Sequence, residues 1–77
     1  MTKDKHEVTI LKPRNGKILE EKRTVYFKSG MIMHINDVQE VRIGKTSLRI
    51  LDGNGVYFIL YPQNIDYMRI EGAQIVL

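Results

Sequence analysis

Six glycines, Gly16, Gly30, Gly44, Gly53, Gly55 and Gly72, divide this chain of 77 residues into short runs rich in Val, Ile, Tyr, Phe and Thr. No other feature restricts the fold as strongly. Glycine reaches positive φ at little steric cost, and tight β-hairpin turns demand that conformation. Pro13-Arg14-Asn15-Gly16 and Asp52-Gly53-Asn54-Gly55 are the strongest turn signals, with Ser29-Gly30 next. The runs between them alternate with the period of two that belongs to strands. Val25 and Phe27 share a face, as do Val56, Phe58 and Leu60 opposite Tyr57, Ile59 and Tyr61. Val41-Arg42-Ile43, Leu48-Arg49-Ile50 and Met68-Arg69-Ile70 each bury their outer pair and direct an arginine outward. Asn36 to Ile43 comes nearest to a helical period, but its β-branched residues and the following Gly44 limit it to a turn.

The sequence therefore predicts an all-β protein. It is a single domain over residues 1–77, a small barrel or rolled antiparallel sheet of about six short strands, without a long helix and with residues 1–7 frayed. A shift of 27 positions aligns Val38, Val41, Arg42, Ile43, Leu48 and Ile50 with Ile65, Met68, Arg69, Ile70, Ile75 and Leu77, which suggests two similar halves packed face to face. A chain this short buries only ~60% of the surface its unfolded form exposes. Without cysteine, no disulfide or thiolate-bound metal supplements the core. Six strands left flat would expose two edges and an apolar face, so closure or self-association is expected. The apolar run Ile75-Val76-Leu77 points to self-association as well.

The formal net charge is +3. Residues 1–28 carry eight basic and four acidic side chains, and the remainder carries four basic and five acidic. The basic third suits either contact with a polyanion or a solvated edge whose lysines resist further pairing. No stretch approaches the ~18 apolar residues of a membrane span. The N-terminal MTKDKHEVTI lacks the apolar run of a secretory signal. A cytoplasmic location and no membrane partner are the expectation.

The inventory for catalysis is thin. His6 lies in a charged terminus, and His34 alternates with Met33 and Ile35 so that it faces outward. Ser29 and Ser47 sit in turns, outside any nucleophile motif. Asp37, Glu40, Asp52, Asp66 and Glu71 fall at strand ends, where acids commonly close turns. No metal-ligand spacing and no phosphate-cradling loop leading into a helix is present. Neither an enzyme nor a cofactor is expected. The one constellation with binding chemistry is an outward face on which Arg42, Arg49 and Arg69 interleave with Tyr26, Tyr57 and Tyr67. Such a face can stack bases and neutralise phosphates. The same residue types dominate protein-interface hot spots, and also serve a sheet as cross-strand packing.

Val25-Tyr26-Phe27-Lys28-Ser29-Gly30 resembles the first hairpin of the Sm family, and Tyr57-Phe58-Ile59-Leu60-Tyr61-Pro62-Gln63-Asn64-Ile65 resembles its strand–turn–strand ending. The acidic–asparagine signature of the first Sm motif and the N-terminal helix of that family are missing. The resemblance implies an SH3- or Sm-like roll that forms a ring and binds RNA. The residues taken together favour a non-enzymatic β module that acts through protein contacts and self-association. Small size and absent chemistry also suit an accessory or inhibitor protein of a phage or mobile element. A nucleic-acid-binding barrel using the Arg/Tyr face is the alternative.

Overall fold

The computed structural model describes residues 8–13 and 18–73. Seven strands follow in chain order there: β1 Thr9–Leu11, β2 Glu20–Phe27, β3 Ile32–Val38, β4 Glu40–Ile43, β5 Leu48–Leu51, β6 Tyr57–Leu60 and β7 Ile65–Glu71. A single 3-10 turn, Pro62–Asn64, leads into β7. All pairings are antiparallel, and they assemble two sheets in the orders β1-β4-β5-β6 and β3-β2-β7. Among the described residues no helix is long and apolar enough to cross a membrane. The all-β expectation therefore holds, with one strand more than the sequence suggested, the three-residue β1 beside β4.

Of the five described glycines, Gly30, Gly55 and Gly72 take the positive φ expected of glycine turns, whereas Gly44 and Gly53 do not. Gly30 has φ 98°, and its N–H donates to the Phe27 carbonyl at 2.9 Å to close the β2–β3 hairpin. Asp52 shapes the β5–β6 turn, its Oδ1 accepting the N–H groups of Asn54 and Val56 at 2.9 Å each. Pro13-Arg14-Asn15-Gly16 runs into residues outside the described set, and residues 1–7, for which fraying is the expectation, and the apolar run Ile75-Val76-Leu77 lie outside it as well.

The segment expected to be a turn, Asn36 to Ile43, is instead a strand broken by a corner. Asp37 adopts φ 53°, a conformation that Asp and Asn tolerate better than most residues. β3 ends one residue later at Val38, and after Gln39 the chain starts β4 in the other sheet at Glu40. The Gln39 N–H donates to the Leu51 carbonyl at 2.8 Å and pins the corner to β5. Gly53 braces it from the next turn, because a Cβ there would lie 2.9 Å from Asp37 Cβ. The corner also removes the equivalence of the two halves. Val41-Arg42-Ile43 follows it in the four-stranded sheet, whereas Met68-Arg69-Ile70 lies within uninterrupted β7.

Both sheets bury one face in a common core of Leu19, Val25, Ile35, Val38, Val41, Leu48, Ile50 and Leu60, with Phe27, Met33, Phe58, Ile65 and Met68 packed against it. Ile43, Val56 and Ile70 were expected inside and are exposed. Ile43 ends β4 beside the short β1, Val56 precedes β6, and Ile70 belongs to an edge strand, so each sits where the facing layer stops covering it.

The core also encloses an ion pair. Arg23 faces inward from β2, between Ile35 and Ile70 on the neighbouring strands. Its Nε donates to Glu20 Oε1 at 2.9 Å, its Nη2 meets Glu20 Oε2, and its Nη1 lies 3.5 Å from Met68 Sδ. Both side chains are about nineteen parts in twenty buried, at 6% and 5% exposure. Arg23 thus leaves the solvated basic edge that the sequence suggested. An arginine can take an inward position only because its fork is met in bidentate fashion by a carboxylate three residues away.

Candidate functional site

The structure divides the six residues of the expected Arg/Tyr face between two sheets. Tyr26 and Tyr67 are cross-strand partners in β2 and β7, their rings stacked with centroids 4.4 Å apart and planes at 17°. Arg69 lies opposite Thr24 on the same outer face. Its Nε is 3.3 Å from Glu71 Oε2 in an exposed pair of little energetic weight. His34 is exposed there too, with Nδ1 3.3 Å from Thr24 Oγ1.

Arg42, Arg49 and Tyr57 belong to the outer face of the four-stranded sheet. Arg42 and Arg49 are directly opposite each other, in a row that runs Ile10, Arg42, Arg49, Ile59 across four strands. The next row on that face is Glu40, Leu51, Tyr57. Because both inner faces meet in one core, these two outer surfaces point away from each other. Period-two parity identifies which residues face outward but carries no information about which sheet a strand joins.

Glu40 organises this second surface. Its Oε2 accepts from Arg42 Nε, and the Tyr57 hydroxyl donates to the same oxygen over a long 3.4 Å. The Arg42 hydrogen bond holds the Glu40 carboxyl below its ordinary value of 4.5. Burial works in the opposite direction and is outweighed, while the charges of Arg42 and Lys12 add to the lowering. A carboxylate whose pKa drops on folding contributes stability that is complete above the unfolded value and is lost as pH falls through the folded one. The urea midpoint is therefore expected to fall on acidification below about pH 4.5. Glu40→Gln should show a shallower acid limb in the same titration; an identical limb would remove Glu40 from the acid response.

Two grooves border these features. One, of about 230 Å³, is lined by Val8, Arg42, Gly44, Lys45, Thr46, Ser47 and Arg49. The other, of about 340 Å³, lies between the β2–β3 turn and β6 and is lined by Phe27, Lys28, Ser29, Met31, Ile59, Leu60, Tyr61 and Asn64. Among the described residues, no group of three His, Asp or Glu side chains is placed to hold a metal.

Sequence reasoning singled out none of Glu40, Lys45 or Met31 for these surfaces. A signal for the first groove was nevertheless present. In Arg42-Ile43-Gly44-Lys45-Thr46-Ser47-Leu48-Arg49 a hairpin centred on the glycine turn must bring the two arginines face to face. Comparison of the chain with protein-family models, curated proteins and solved structures found no match.

Proposed function

We propose that this chain is a non-enzymatic β module that works through protein contact, and that its first partner is a second copy of itself. The observation that carries this is the edge of the four-stranded sheet at β6. Met31, Ile59 and Tyr61 are 66%, 51% and 49% exposed, and all three line the same 340 Å³ groove. Among the described residues β6 is also the last strand of its sheet, so one side of its backbone has no strand partner there. An open edge flanked by apolar side chains favours addition of another strand, because pairing satisfies the backbone while the side chains leave water. The alternating Tyr57, Ile59 and Tyr61 supply rigid, amphipathic contact area of the kind that interfaces use.

Sedimentation of the intact chain at high micromolar concentration tests this. The expected mass is a multiple of 9.0 kDa. Ile59→Lys combined with Tyr61→Lys is expected to return a single 9.0 kDa species that retains the strand signature in circular dichroism. A wild-type chain that sediments only as a monomer would sink the reading, and a double variant that stays associated would move the interface away from β6.

A further inference from the structure

We propose that the groove at the β4–β5 turn is an anion site that takes a phosphate-bearing ligand. Three cationic side chains, Arg42, Lys45 and Arg49, line it together with the hydroxyl-bearing Thr46 and Ser47. Arg42 and Arg49 are directly opposite in register, where like charges oppose sheet formation. Glu40 answers one of these charges, and it does so from outside the groove's lining.

That contact also orients the donor. Glu40 engages Arg42 through Nε, so the two Nη groups are not consumed by it. The turn that carries Lys45, Thr46 and Ser47 is closed by the Gly44 N–H donating to the Ser47 carbonyl at 2.9 Å, which sets both hydroxyl residues beside the arginine pair. Side chains directly opposite in a sheet start from Cβ atoms ~5 Å apart. Two guanidinium groups carried on opposed positions, with an ammonium at the turn, bring three positive charges to one groove, which favours the more highly charged phosphoryl group over a carboxylate. A phosphoryl group offers three acceptor oxygens and close to two negative charges to those donors. About 230 Å³ accommodates that group and part of what it is attached to. The chemistry is shared by a small phosphorylated molecule and by a polynucleotide backbone.

None of the residues lining this groove lines the β6 groove, although Arg49 lies opposite Ile59 in register, and the double variant that tests the site leaves Ile59 and Tyr61 unchanged. The test is a titration followed by amide NMR at low salt, with inorganic phosphate in one arm and a twelve-residue oligothymidylate in the other. Saturable shifts at residues 44–49 are expected. Lys45→Ala combined with Arg49→Ala should weaken them at least tenfold while amides of the core strands keep their wild-type positions. A response to phosphate alone assigns a small-molecule source. Binding of the oligonucleotide, with affinity falling as about the second power of salt concentration (~0.7 per cation for a single strand), assigns the polymer. Silence in both arms overturns the site, and so does binding that the double variant leaves unchanged.

Discussion

Arg23→Ala is expected to lower stability by about 3–5 kcal/mol, because it strands the Glu20 carboxylate in the core without its partner. A domain of 77 residues holds only ~4–12 kcal/mol in total, so this one change should leave a marginal or unfolded chain. Glu20→Ala should act in the same direction, since it leaves a buried guanidinium. Converting both together, Glu20→Leu with Arg23→Met, is expected to come within about 2 kcal/mol of wild type or exceed it, because the desolvation of two charges is removed along with their attraction. Urea unfolding of the four proteins measures this. A loss under about 1 kcal/mol for Arg23→Ala would mean that water reaches the pair and that its burial contributes little.

The second large effect belongs to Ile50→Ala, expected to cost about 2–5 kcal/mol. Ile50 is fully buried at 0% exposure, in an interior strand between Val41 and Phe58. Neighbours on both sides are held by the ladder, so the site cannot collapse around the missing atoms, and the cavity term adds to the lost transfer energy. Ile59→Ala, one strand away on the outer face, is the matched control and should stay within about 0.5 kcal/mol in the monomer. Urea midpoints at an unchanged slope would report both as stability effects. An Ile50 loss no larger than that of Ile59 would contradict the position of the core.

The contrast between Ile50 and Ile59 shows how far pattern alone carries. Both are isoleucines in strands, and alternation with Arg49 in one case and with Phe58 and Leu60 in the other places the first inside and the second outside. The same parity failed at Ile43 and Ile70, because burial needs an opposing layer as well as a correct face, and that layer ends at the sheet margins. It failed for Arg23 in the opposite sense. Local sequence treats an arginine among lysines as solvated, whereas the fold supplies a carboxylate and a thioether that make an inward fork tolerable.

For the candidate sites, the chain's own order was enough to find the arginines and tyrosines but not to group them. Arg42 meets Arg49 through a local hairpin, so their pairing follows from a turn of four residues. Tyr26 meets Tyr67 across more than forty positions, and nothing in either neighbourhood specifies that contact.

The glycine-punctuated alternation with which the chain first restricts itself thus determined strands, turns and outward residues, because those depend on φ preferences and on a side-chain period of two. The tertiary structure alone decided that there are two sheets, that a corner at Asp37 carries the chain between them, and that one supposed Arg/Tyr face is two surfaces turned away from each other. It also placed Glu20 and Arg23 in the core and opened the two grooves. Glu20 and Arg23 are near neighbours in sequence, and so are the two arginines of the β4–β5 turn. The burial of the first pair and the division into two sheets rest on contacts between residues distant in sequence, whose energies are settled by what each layer finds to pack against.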